Sequence, residues 1–261
     1  MTAPPAIAVL GLGEAGAAIA TDIVAAGNRV LGFDPVQPAP EGVEAHPHPA
    51  EAARPAKIIL SVNSPAVALE VAEAVAPVLQ PEQLYADLNT AAPALKRAVA
   101  AAVEARGAVF ADVALMEPVP DWGVRTPALA SGPGAERFAT AFGLFGMPVT
   151  AVGPEPGAAA ARKLARSVFM KGQAAAIGEA LEAAERLGCA DWLYKNIESS
   201  LTAADGRLLR RLVEGSRRHA GRRVDEMAAA VAMLDELGVE PRVAAASEAW
   251  LRSLAGSEAP R

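Results

Sequence analysis

The chain has 261 residues, 52% of them hydrophobic, and a formal net charge of −6 at pH 7. That length supports two modest domains with ample core, and the acidic balance argues against general nucleic-acid binding. A single cysteine, Cys189, excludes an internal disulfide or a cysteine-rich metal site.

In chain order, Ala6 to Leu10 reads as a buried strand. It leads into Gly11-Leu12-Gly13-Glu14-Ala15-Gly16, and a helix is expected over Ala15 to Ala26. In this pattern Gly11 permits the tight turn, Gly13 has no Cβ to obstruct a phosphate, and Gly16 lets helix and strand pack closely. A pyrophosphate would then face the orphan N–H groups at the helix N-terminus. Arg29 to Asp34 is a second strand ending in an acid, about 20 residues on, where the ribose hydroxyls of a dinucleotide want a carboxylate. Asp34 would repel a 2′-phosphate, and Pro35 rather than an arginine follows it, so NAD is expected in preference to NADP.

Pro35 to Pro49 reads as a loop. His46 and His48 lie in it without a completing ligand cluster, so no metal site is expected. Lys57 to Val62 is the third strand, ending at Asn63-Ser64-Pro65, with a helix over Ala66 to Val78. Leu84 to Leu88 is the fourth, ending at Asn89-Thr90, with a helix over Ala92 to Arg106. Ala108 to Val113, Pro127 to Ser131 and Pro148 to Val152 complete seven strands, and Ala135 to Leu144 is helical. The alternation predicts an α/β, doubly wound, mostly parallel sheet with ligands beyond the C-terminal strand ends. Those ends bring forward Gly11 to Gly13, Asp34, Val62, Asn63, Asn89 and Thr90. The two asparagines are expected to flank the ribose and nicotinamide end.

Gly153 to Gly157 is a Pro/Gly break, and the pattern after it is helical: Ala158 to Leu187, Asp191 to Leu201, Asp205 to His219, Arg222 to Leu237 and Val243 to Leu254. The reading is a dinucleotide-binding domain over 1–155 and an all-helical substrate and dimerisation domain over 156–261. The first of these helices would be about 45 Å long, too long for one small domain to cover, so a homodimer through the helical domain is expected. No apolar run approaches the ~18 residues of a spanning helix. The N-terminal stretch lacks a basic start and its apolar run is broken by glycines, so no signal peptide is expected, and with the composition this gives the expectation of a cytoplasmic protein.

These pieces together resemble the β-hydroxyacid dehydrogenase and 6-phosphogluconate dehydrogenase superfamily, in particular its bacterial branch with a short helical C-terminal domain. The resemblance is carried by Gly11 to Gly16, Ser61 to Pro65, Tyr85 to Thr90, Asp112 to Pro120, and Gly157 through Lys163. It implies hydride transfer between a nicotinamide and a small, anionic hydroxyacid-like substrate. The general acid/base would be a lysine early in the long helix, followed four residues on by an asparagine. Lys163 falls in that place, with Ser167 where the family has asparagine. Lys171, a further turn along and within about 80° around the axis, is the rival. The family's glycine-rich substrate loop is replaced by Met116 to Gly123. Met116 and Pro118 are the expected substrate contacts there, and Trp122 would wall the pocket or serve in the core or an interface.

A base is also demanded by the chemistry, and a lysine can supply it. Taking the proton of a carbinol needs a base near neutral pH, and burial beside a cationic nicotinamide would lower a lysine's pKa. Arg162 and Arg166 share the segment and would hold an anion or face water. His219, Arg222, Arg223 and Glu226 share one helical face; Arg222 and Arg223 are candidate substrate ligands, and a solvated salt-bridged face is the alternative. Reduction of a C=N bond on the same architecture, or NAD binding without chemistry, are the competing functions.

Overall fold

The structure, a computed structural model, describes residues 6–257. Its eight strands are β1 (Ile7–Leu10), β2 (Val30–Phe33), β3 (Val43–Ala45), β4 (Ile58–Ser61), β5 (Leu84–Asp87), β6 (Val109–Leu115), β7 (Ala128–Ser131) and β8 (Val149–Ala151). They form one sheet in the order β3-β2-β1-β4-β5-β6-β7-β8. Every pairing is parallel except that of β6 with β7. Strands buried on both faces explain the apolar runs. Along β1, Ile7 and Val9 join one core layer, while Ala8 and Leu10 join the other.

Six helices cover the two faces: α1 (Glu14–Ala25), α2 (Pro49–Ala53), α3 (Ala68–Val75), α4 (Pro93–Glu104), α5 (Val119–Trp122) and α6 (Ala135–Gly143). Ile19 and Ile23 of α1 and Phe138 and Phe142 of α6 all belong to the first layer. Val75 of α3 packs with Val99 and Val103 of α4 in the second. Each such fully buried side chain contributes about 1.5–3 kcal/mol. The chain leaves β1 towards β2 and β3, then returns to β4 on the other side. Strand order therefore reverses between β1 and β4, and the crevice beyond their C-terminal ends is where such sheets bind ligands.

Three features depart from the sequence reading. The Pro35–Pro49 loop contains β3, and α2 begins at its end. Three residues at a sheet edge, two of them exposed, give no alternation long enough to read. The sixth expected strand runs antiparallel to its neighbour, because the connection from β6 folds back through α5 and a 3₁₀ turn at Gly123–Arg125. That connection is pinned by Asp22 of α1, whose Oδ2 accepts from Val124 N at 2.8 Å.

The chain divides into two compact units, one ending at Arg166 and one beginning at Ser167. Among the described residues no strand follows β8. The remaining helices are α7 (Ala158–Arg186), α8 (Ala190–Thr202), α9 (Gly206–Arg218), α10 (Ala220–Glu236) and α11 (Arg242–Ser257). In the second unit Ala183, Leu234, Val239 and Ala244 form a small core. Glu179 of α7 accepts from the first N–H groups of α11, Val243 N at 2.7 Å and Ala244 N at 2.8 Å. No helix among the described residues is long and apolar enough to cross a membrane.

Candidate functional site

The glycine turn behaves as its spacing requires. Gly11 has φ +105°, and a Cβ there would lie 2.3 Å from the carbonyl oxygen of Val62. A Cβ at Gly16 would lie 1.9 Å from the carbonyl oxygen of Gly11. A Cβ at Gly13 would meet nothing within 4 Å. Two glycines are thus demanded by packing. The middle one, at the N-cap of α1, is demanded by nothing inside the protein, which fits a position kept open for a phosphate.

Two cavities open from this turn. One, of about 600 Å³, is lined by Gly11, Phe33, Asp34, Asn63, Val67 and Val71 among others. It lies at the ends of β1, β2 and β4, where the adenosine of a dinucleotide would sit. Asp34 stands at its edge with both carboxylate oxygens used. Oδ2 accepts from Leu12 N at 2.7 Å, and Oδ1 accepts from Val36 N and Gln37 N, each at 2.8 Å. Burial pushes this carboxyl up, but the N–H groups of Gln37, Leu12 and Val36 outweigh it and hold the pKa below its ordinary value.

The second cavity, of about 420 Å³, holds Glu14, Asn63, Asn89, Thr90, Glu117 and Lys163. Ser61 Oγ accepts from both Asn63 Nδ2 and Asn89 Nδ2, each at 3.1 Å. Asp87 Oδ1 also accepts from Asn89 Nδ2, at 2.6 Å. The carboxylate forces the amide orientation, since an Oδ1 in that place would face another acceptor. The Oδ1 atoms of Asn63 and Asn89 are left buried with no hydrogen-bond donor. Two orphaned acceptors on residues that line one cavity cost stability unless donors reach them. The hydroxyls of a ribose and the amide of a nicotinamide are such donors, so the residues present fit a dinucleotide.

Lys163, half-buried on the second turn of α7, donates from Nζ to Thr90 Oγ1 at 2.7 Å. Arg166 donates to the carbonyl of Met116 at 2.7 Å and pairs with Glu117 at 3.1 Å. Arg162 turns back onto the carbonyl of Ala158. Both arginines are therefore engaged within the chain. Of the expected loop contacts, Met116 and Pro118 do not line the cavity; Leu115, Glu117 and Val119 do. Trp122 is about half exposed. Leu12 is buried in the core beneath the glycine turn, and Ala15 and Val62 line the second cavity.

The chain matches two protein families. Residues 6–116 match the NAD binding domain of 6-phosphogluconate dehydrogenase, and residues 184–254 match a domain of unknown function, DUF1932. The N-terminal part of the chain is thus similar to the NAD-binding domain of 6-phosphogluconate dehydrogenase. It is 26% identical over 170 residues to an uncharacterised 28.5 kDa protein of Methanothermus fervidus, a match covering 65% of this chain and 64% of that protein, just under two thirds of its length. It is 25% identical to a conserved protein of unknown function described as structurally similar to 3-hydroxyacid dehydrogenases, with a TM-score of 0.61 over 95% of this chain and 96% of that one. The imine reductase from Myxococcus stipitatus, solved in complex with NADP+, shares the fold at 20% identity, with a TM-score of 0.82 over 97% of this chain and 95% of its own. A variant of that enzyme was solved with NAD+. The fold is thus an NAD(P)-binding one of the hydroxyacid dehydrogenase type, shared with imine reductases.

The remaining expected site residues lie in the second unit. Ser167 is half-buried and Lys171 exposed. Arg222 pairs with Glu226, one turn along α10, and Arg223 donates to Ser216 Oγ at 2.6 Å. His219 terminates α9. The structure also presents residues to which the sequence reading gave no role: Ser61, which fixes both amides, and the buried charges Asp87, Lys96 and Asp112 beneath them.

Proposed function

We propose that this protein is an NAD(H)-dependent oxidoreductase acting on a small hydroxyacid-like alcohol or its carbonyl form, with Lys163 as the general acid/base. The observation that supports this reading most is the position of Lys163 Nζ. It is 2.7 Å from Thr90 Oγ1, and Lys163 lines the same cavity as Asn63 and Asn89, whose buried amide oxygens lack donors.

A bound nicotinamide supplies or accepts the hydride. The chain's own residues do the rest. The backbone around Gly13 would hold the pyrophosphate, and Asn63 and Asn89 would flank the ribose and nicotinamide end. Lys163 takes the substrate hydroxyl proton onto Nζ during oxidation and returns it during reduction. Thr90 orients the amine by accepting one of its N–H bonds. Asp34, held ionised by three backbone N–H groups, disfavours a 2′-phosphate and so favours NAD over NADP.

A second reading, reduction of a C=N bond, is favoured by one feature of the same cavity. Glu14 and Glu117 both line it, and two carboxylates suit a cationic iminium better than a carboxylate. The test is turnover of a hydroxyacid and cyclic imine panel by the wild type, Lys163→Ala and Lys171→Ala. The first reading expects Lys163→Ala to lose about 10²–10⁴-fold in kcat on a hydroxyacid, with Lys171→Ala near wild type. Imine turnover that survives Lys163→Ala supports the second. Loss on Lys171→Ala alone moves the base to Lys171.

The proposal includes a homodimer through the helical part of the chain. Phe169, Trp192, Tyr194, Leu209, Leu212 and Trp250 are each about half or more exposed, large apolar side chains that a partner subunit would cover. Light scattering that gives a monomer mass at micromolar concentration would remove this part of the proposal.

A further inference from the structure

A row of polar residues crosses the sheet beneath the second cavity. In the strand register Ser61 of β4 pairs with Asp87 of β5, Asp87 with Asp112 of β6, and Asp112 with Ser131 of β7. All four are fully buried. Two carboxylates side by side in a core repel and are costly to desolvate. The compensating charge is Lys96 of α4, also fully buried.

Its ammonium donates to the Asp87 carbonyl at 2.8 Å and forms ion pairs with Asp87 Oδ2 and Asp112 Oδ1, each at 3.2 Å. The far oxygens of the two carboxylates lead in different directions. Asp87 Oδ1 accepts from the backbone N–H and the side-chain amide of Asn89, at 3.0 and 2.6 Å. Asp112 Oδ2 accepts from Ser131 Oγ and from Ala160 N, each at 3.0 Å, and Ser131 Oγ accepts from Ala159 N at 2.9 Å. The first N–H groups of α7 are thereby satisfied by this row, and their partial positive charge offsets the second carboxylate.

We propose that Lys96 is a positioning residue that ties Asn89 and the start of α7 to one buried point. The nicotinamide-end acceptor and Lys163, one turn into that helix, are thus set in place together. This rests on the proposed cofactor reading for what Asn89 and Lys163 do, though not for the anchoring itself.

The test compares Lys96→Met and Ser131→Ala with wild type by hydrogen–deuterium exchange and by the binding of NADH and ADP. ADP lacks both the second ribose and the nicotinamide, and its adenosine end would sit by Asp34, away from the row. Lys96→Met is expected to speed exchange about tenfold or more at the start of α7 and around 87–90, while α1 and β1 stay at wild-type rates. It is expected to weaken NADH about tenfold and ADP less than threefold. Should Lys96→Met fail to fold, Ser131→Ala carries the test, with faster exchange confined to the start of α7. Exchange that rises everywhere or nowhere, or equal losses for both ligands, overturns the proposal. A wild type that binds neither ligand refutes the cofactor reading instead, and exchange alone then decides the anchoring.

Discussion

The glycine turn offers a matched pair of substitutions with opposite expected outcomes. In Gly16→Ala the new Cβ falls 1.9 Å from the carbonyl oxygen of Gly11, a backbone atom that moves only if β1 and α1 separate. Overpacking of this kind costs about 1–3 kcal/mol or more, offset in part by the ~1 kcal/mol gain of Ala over Gly inside a helix. In Gly13→Ala the Cβ meets nothing within 4 Å. The backbone there, φ −62° and ψ −171°, is open to any residue, and the loss of an N-cap glycine costs about 1 kcal/mol at most. That methyl does fill the place proposed for a phosphate. Gly13→Ala is therefore expected to unfold in denaturant close to wild type yet bind NADH at least about tenfold more weakly, ~1.4 kcal/mol. Gly16→Ala is expected to lose stability first. Denaturant melts and NADH fluorescence titrations measure both. Wild-type NADH affinity in Gly13→Ala would refute the assignment of the phosphate cradle.

Three further outcomes follow from the geometry. Wild type is expected to bind NADH more tightly than NADPH, and Asp34→Ser to narrow the ratio about tenfold; paired titrations check this. Because Asp34 has its folded pKa lowered, the stability it contributes is present above its ordinary value of 3.8 and is lost as pH falls through the lower folded value. Acid melts of wild type against Asp34→Asn should converge there and diverge at neutral pH. Glu179→Ala removes the acceptor for two N–H groups of α11 and is expected to cost about 1–2 kcal/mol, read as a lower denaturation midpoint.

The β1 turn, the acid ending β2 and the asparagines after β4 and β5 were legible in the sequence because each sits at a fixed offset from an apolar run. The charged row was not, although a signal was there. Lys96 precedes the buried Val99, Ala100 and Val103 by three, four and seven residues, so it lies on the apolar stripe of α4. A lysine in that phase needs buried partners. The Ala-Asp pairs at 86–87 and 111–112 occupy equal positions on neighbouring strands, and only the register shows that the two carboxylates meet. Ser61 was hidden for the same reason, since its role depends on two loops that converge across strands. The pairing of Arg166 with Glu117 spans 49 residues, beyond any local pattern.

The most direct test of the central claim follows the hydride itself. NADH deuterated at C4 of the nicotinamide is incubated with a panel of small keto acids, and the products are examined by mass spectrometry. The account predicts deuterium on the carbinol carbon with wild type and with Lys171→Ala, and loss of label transfer with Lys163→Ala although NADH still binds. Tight NADH binding by wild type with no deuterium in any product, or undiminished transfer by Lys163→Ala, would contradict it.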